Sequence, residues 1–189
     1  MSKVTRDEVT SRQEYESIRD GFRKSVMAQK ADRRIHLGDY FTFLFENHDT
    51  VLYQIQEMIR AESLDSEPEI QHEIDTYNEL IGDAGELGAT LLIEIDDPDK
   101  RAVLLAAWID LLGTFYIETV DGRRIAPRFD ARQVGRDRIS SVHYLKFPIG
   151  DGVPRLVGCT HSSVSTSVEL DPKQVTALSA DLLKSGFIA

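Results

Sequence analysis

Only one cysteine, Cys159, occurs in the 189 residues. That excludes an internal disulfide and any thiolate-rich zinc or iron–sulfur site within one chain. No apolar run approaches the ~20 residues a membrane helix needs, and the start, MSKVTRDEVTSRQEYE, has no apolar leader core. There is no phosphate-binding P-loop, no G-x-G-x-x-G and no G-x-S-x-G nucleophile elbow. Positive charge is in deficit too, with 22 Lys and Arg against 32 Asp and Glu, a net charge of −10. Such a surface repels nucleic-acid backbone and anionic lipid, so neither nucleic acid nor membrane is an expected partner. A cytoplasmic protein is the simplest expectation.

What is present suits a folded chain. Hydrophobic residues make up 41% and charged residues 29%, ordinary values for a globular protein. The length fits one domain over 1–189 that buries a core without staples. Thr10 or Ser11 caps a long N-terminal helix, with Glu14 three residues after Ser11 completing a capping-box pattern. Tyr15, Ile18, Phe22 and Val26 fall on one stripe of it, and Gly21 is a weak point in its continuity. Beside that stripe run Arg19, Arg23, Lys30 and Arg34. The row could hold an anionic ligand, or simply pair with the many carboxylates elsewhere.

The expected centre of the chain is Gly38–Ile81, a hydrophobic strand followed by two helices. YFTFLF is aromatic and β-prone. Asn47 or Asp49 caps a helix from about Thr50 to Ala61 that buries Val51, Leu52, Ile55, Met58 and Ile59. Ser66-Glu67-Pro68-Glu69 starts the next helix, with Ile70, Ile74, Tyr77, Leu80 and Ile81 as its stripe and Gly82 as its end. LGATLLIEI is a strand. A helix after Asp97-Pro98 is expected to bury Val103, Leu104, Ala107 and Trp108. GTFYIETV pairs through Asp121-Gly122 with RRIAPRF. SSVHYLKFPI and PRLVGCTHSSVSTSVEL add strands, and a final helix uses Val175, Leu178, Leu182 and Leu183. The expected fold class is α+β: an antiparallel sheet with packed helices, a long N-terminal helix and a central helical pair.

The central pair carries the chemistry-bearing residues. Glu69-Ile-Gln-His72 has the E-x-x-H spacing that puts a carboxylate and an imidazole one turn apart, as in di-iron bundles. Those bundles need two such motifs and two further glutamates, and here there is one. A mononuclear site from Glu57 or Glu62, His72 and Glu94, with Glu69 and Glu73 nearby, is less demanding and suits Fe, Mn or Zn. The opposing reading is hydrogen-bonded, ion-paired surface; Glu57 and Arg60 at i and i+3 make a simple pair. Tyr53, Arg60 and Asn78 join Arg19 and Arg23 as ligand-binding candidates. Cys159 near His161 puts a thiol beside an imidazole, although a lone strand cysteine is more often a small buried hydrophobe.

KADRRIHLG, FTFLFEN, TVLYQIQEMIRAE, IQHEIDTYNELI, GELGATLLIEI and VHYLKF together resemble the bacterial family known as domain of unknown function 3501, from about Tyr15 to Phe147. The resemblance implies no particular reaction. It implies company with rubrerythrin-like and iron–sulfur oxidoreductase genes, hence redox or oxidative-stress physiology and a redox-system partner. The family pattern often has glutamine at His143, and His36, His48 and His161 do not match its motifs. Tyr53, Gln56, Glu57, Arg60, Glu62, His72, Glu73, Tyr77, Asn78 and Glu94 lie in matching segments. Two readings stay open: an accessory or interaction protein that could form a homodimer, or a metal-dependent or acid/base enzyme with Glu57, Glu62, His72 and Glu73 around the site and Arg60 holding an anionic substrate.

Overall fold

The computed structural model describes residues 2–184, so the expected span of 1–189 runs past the described residues at both ends. Its elements are α1 (Arg12–Ala31), β1 (Arg34–Leu37), β2 (Phe41–Glu46), α2 (His48–Glu62), α3 (Glu67–Asn78), β3 (Glu86–Ile93), α4 (Pro98–Ala107), β4 (Phe115–Thr119), β5 (Arg124–Ile125), β6 (Val142–Pro148), β7 (Pro154–Cys159), β8 (Thr166–Glu169) and α5 (Pro172–Lys184). The strands form two antiparallel sheets, ordered β1-β2-β3-β6 and β5-β4-β7-β8. The fold is α+β, as the strands following one another through tight turns predict, although they form two antiparallel sheets where one was expected.

Period-two patterning explains why the two sheets meet. Phe41, Phe43 and Phe45 project from one face of β2, and Leu145 and Phe147 from the same face of β6; all are buried. Phe115 of the second sheet packs edge-on against Phe41 and Phe43, with ring centroids 5.1 and 5.3 Å away. Edge-to-face rings add to the burial of their area. Trp108, just after α4, lies 5.5 Å from Phe41 and completes this aromatic centre.

A second hydrophobic cluster joins the helices. Val51, Ile55 and Ile59 of α2 meet Ile70 and Ile74 of α3, with Val4, Val9 and Ile81. Asn47 caps α2 by accepting from the Thr50 N–H at 2.9 Å, so the helix begins two residues before the expected Thr50. Ser63, with φ 56°, ends it in the left-handed region. α3 stops at Asn78, short of the expected Gly82, because Leu80–Gly82 leaves the helix to cross β3. A Cβ at Gly88 would stand 1.9 Å from the Leu80 carbonyl oxygen, so only glycine admits that crossing.

The predicted helical stripes are shifted in three places. α1 buries Tyr15 and Val26 but leaves Ile18 51% exposed, because among the helices only α2 covers it closely. Its capping box forms as expected, Ser11 N–H donating to Glu14 and Ser11 Oγ accepting from the Glu14 N–H. Gly21 does not interrupt the helix. In α4, Leu105 and Trp108 point inward while Val103 is 67% exposed and Ala107 is exposed. In α5, Leu178 and Leu182 are buried and Leu183 faces outward.

One edge bears on the site. Beyond β6 the chain returns as the segment 128–133. Arg128 N–H donates to the Lys146 carbonyl at 2.7 Å and Lys146 N–H to the Arg128 carbonyl at 2.9 Å. The Gln133 side chain imitates a strand, accepting from Tyr144 N–H at 2.7 Å and donating to the Tyr144 carbonyl at 3.1 Å. The two attachments cover an otherwise bare sheet edge and leave residues 129–132 bowed away from it.

Candidate functional site

The seam between α1 and α2 gathers several of the expected residues. Glu57 accepts from Arg19 Nε at 2.7 Å, Arg19 Nη2 at 2.8 Å and the Tyr15 hydroxyl at 2.7 Å. The Arg19 hydrogen bonds, joined by Tyr15, outweigh burial and hold the Glu57 carboxyl at about 2. Tyr15 is pushed up, by burial first and then by the carboxylate. Arg60 does not pair with Glu57; it reaches across to Glu16 of α1 at 2.6 Å. Tyr53 lies under the Lys30 ammonium, 5.6 Å from its ring centre, and against Phe22. Arg23 is exposed on α1.

The Glu57 carboxylate of this seam is engaged by internal partners. A general base works best with a pKa near the working pH, and Glu57 is held far below. Asn78 lies elsewhere, on α3, where its amide accepts from the Val4 N–H at 2.8 Å and donates to the Val4 carbonyl at 2.9 Å. It therefore pins the N-terminal segment to the helical core.

The expected metal ligands are spread apart. Glu69 accepts from the Ser66 hydroxyl at the start of α3, and Glu62, Glu69 and His72 are exposed. Glu94 lies past the end of β3, where it accepts from Thr42 Oγ1, which also contacts His36 Nδ1 at 2.9 Å. Among the described residues no group of three or more His, Cys, Asp or Glu side chains is gathered so as to hold a metal ion. Cys159 is buried against Thr114 Oγ1, and His161 instead pairs with Asp110 at 3.2 Å.

Glu73 of that set lines a groove. Between α3, β6 and the bowed segment lies a groove of about 560 Å³. Glu73, Thr76, Tyr77 and Leu80 of the α3 side form one wall, Tyr144 and Lys146 line the β6 side, and Arg128, Phe129 and Gln133 close the far side. Its volume is in the range of small-molecule sites. Glu73 and Tyr77 share a helix face at i and i+4, and Tyr144 and Lys146 share a strand face at i and i+2.

The electrostatics of the groove are unsettled, in contrast with the seam. Burial raises the Tyr77 hydroxyl, and Glu73, Tyr144 and Glu62 raise it further. Arg128 is answered by the buried carboxylate of Glu86. Lys146 and Glu73 have no ion-pair partner among the described residues, and the Tyr77 and Tyr144 hydroxyls make no hydrogen bond there. Tyr144 is 50% exposed on the outward face of β6.

Of these groove residues the sequence reading singled out Glu73, and Tyr77 only through the resemblance. A signal for the others did exist. VHYLKF alternates so that His143, Leu145 and Phe147 turn inward and Tyr144 and Lys146 outward. Nothing local in RFDARQ announces that Arg128 and Gln133 dock on β6, because that contact is made across the fold.

Comparison with known proteins agrees with this fold and adds no reaction. The family model described as protein of unknown function (DUF3501) matches residues 3–182. A protein of unknown function from Burkholderia pseudomallei K96243, with a solved crystal structure, is 28% identical. The match covers 96% of this chain and 100% of that one, with a TM-score of 0.87. No curated protein matches.

Proposed function

For a chain that belongs to the DUF3501 family of proteins of unknown function, we propose a binding role rather than a catalytic one. The protein holds a ligand in the groove between α3 and β6 and acts as an accessory protein. One observation carries this reading: Glu73, Lys146 and the Tyr77 and Tyr144 hydroxyls line the groove with no ion-pair or hydrogen-bond partner among the described residues, while the Glu57 seam spends its groups on one another. Polar tips on a concave wall that no side chain of the protein engages are left to water or to a ligand. Among the residues of the acid/base alternative, Glu57 does not suit a general base, because it is held at about 2.

The setting we propose is cytoplasmic, in the service of the redox or oxidative-stress systems that the family resemblance implies. Self-association as a homodimer is a separate proposal. Co-purification with and without oxidative challenge tests the first, and the molar mass in solution tests the second.

The ligand reading is tested by titrating ¹⁵N-labelled protein with small aromatic fragments. Shifts confined to residues 73–80, 128–133 and 144–146, lost in Tyr144→Ala, support it. Fragments that bind elsewhere, or none that bind, remove it.

A further inference from the structure

We infer that the chain carries, apart from the groove, a nucleophilic serine site: Ser163, with His161 as its base and Asp110 behind His161, cleaving short acyl esters of phenols. This activity is added to the binding role of the groove, and the two sites share no residue.

The site forms where the turn after β7 meets the chain just past α4. Thr160 N–H donates to the Thr114 carbonyl at 2.9 Å and Val164 N–H to the His161 carbonyl at 3.0 Å, so the backbone is held on either side of His161. The Ser163 hydroxyl lies 2.9 Å from His161 Nδ1, and His161 Nε2 lies 3.2 Å from Asp110 Oδ1. Nucleophile, base and orienting carboxylate are each within hydrogen-bond reach of the next. Ser163 is exposed, whereas the His161 side chain is only 10% exposed. An oxygen that substrate can reach is therefore backed by a sheltered imidazole.

Neighbouring donors fix where each proton sits. Trp108, 1% exposed, donates its indole N–H to Ser163 Oγ at 3.0 Å and leaves the hydroxyl proton to point at His161. The Ser163 N–H also points at His161 Nδ1, at 3.3 Å, so this nitrogen is an acceptor and its lone pair faces the nucleophile. Nε2 then carries the ring proton and donates it to Asp110. This is the Ser-His-Asp relation with the two ring nitrogens exchanged. Attack by Ser163 Oγ on an ester carbonyl carbon passes the hydroxyl proton to Nδ1, and Asp110 stabilises the imidazolium. The bond to the phenolic oxygen breaks, and that oxygen takes the proton from Nδ1. Water, deprotonated by the same nitrogen, cleaves the acyl–Ser163 ester, releasing the acid and restoring the hydroxyl. Ser162 and Ser165, in the same turn, have backbone N–H groups with no acceptor among the described residues, so both are free to meet an oxyanion. The Asp110 side chain is 75% exposed, and its hold on His161 is screened by water. The site therefore suits a phenol, a leaving group that needs little help from an acid.

The test treats the full chain with a fluorophosphonate probe and maps the adduct by peptide mass spectrometry, beside hydrolysis of p-nitrophenyl acetate. Ser163 is expected to be the labelled serine. Ser163→Ala should lower the protein-dependent hydrolysis at least about 10-fold, and His161→Gln should slow labelling and hydrolysis to a similar degree. Ser163→Ala removes one oxygen from an exposed side chain, so its loss reads the nucleophile and not the fold. Asp110→Asn should slow both reactions about 3- to 10-fold and shift the pH midpoint of labelling, which a purely structural contact would leave alone. No adduct at Ser163, an adduct that forms as fast in His161→Gln, or hydrolysis that survives Ser163→Ala overturns the inference. An unchanged rate and pH profile in Asp110→Asn overturns it too, because His161 would then work without the carboxylate said to orient it.

Discussion

Arg19 grips Glu57 through both Nε and Nη2, at 2.7 and 2.8 Å, and so ties α1 to α2. The Tyr15 hydroxyl adds a third donor to the same carboxylate. α1 buries little apolar surface of its own, so this polar clasp is a main attachment of the helix.

Glu57→Gln should therefore destabilise the protein at neutral pH by about 1–2 kcal/mol, after allowing for partial solvent screening. The sign follows from the shift: the folded carboxyl sits at about 2, below its ordinary value of 4.5. Its contribution is complete above about pH 4.5 and is lost as pH falls towards 2. Urea unfolding at pH 7 and pH 3 checks this; the gap between wild type and variant should narrow at the lower pH.

His48 carries the opposite dependence. Its ring lies 2.9 Å from Glu8 and 3.1 Å from Asp49, and these carboxylates raise its pKa despite an opposing effect of burial. Stability from this contact is full below the ordinary imidazole pKa and is lost as pH rises through the raised folded value. Hydrogen exchange at residues 5–9 should quicken over that window in the wild type and show no such step in His48→Gln.

Arg33 and Asp181 form a bidentate pair at 2.7 and 3.0 Å, and both are buried, joining the end of α1 to α5. Removing one partner strands a buried charge, so Asp181→Leu should cost about 3–5 kcal/mol. Arg33→Met with Asp181→Leu should cost less than either single change. Thermal unfolding of the three variants, analysed as a double-mutant cycle, measures the difference.

The scattered positions of Glu57, Glu62, Glu69, His72 and Glu94 predict that His72→Ala leaves metal content unchanged. Metal analysis of untagged protein grown with ample Fe, Mn and Zn should give well under one equivalent, equal in wild type and variant. A stoichiometric metal lost on mutation of His72 would contradict this.

The sequence was most informative where local chemistry decides structure. Ser11 with Glu14, Asn47 before α2 and the aromatic, β-prone run FTFLF each act within a few residues, and each reads correctly. It was less informative where a partner across the fold decides. Arg60 turns to Glu16 rather than to Glu57, three residues away on its own helix. Val103 faces out because the docking of α4, and not its periodicity, selects Leu105 and Trp108. The groove is the extreme case. Its walls come from α3, β6 and 128–133, and the pairing of Arg128 with Lys146 and the docking of Gln133 on Tyr144 join the last two. Glu73 could be picked out as a charged residue on a helix, but not as one side of a slot.

The central claim is that the groove between α3 and β6 is a binding site. A ¹⁵N NMR titration with aromatic fragments, run on the wild type and on Tyr77→Ala and Tyr144→Ala, tests it most directly. The account predicts saturable shifts at residues 73–80, 128–133 and 144–146 that weaken at least about 5-fold in both folded variants. Shifts that map to another surface, or that persist undiminished in both variants, would contradict it.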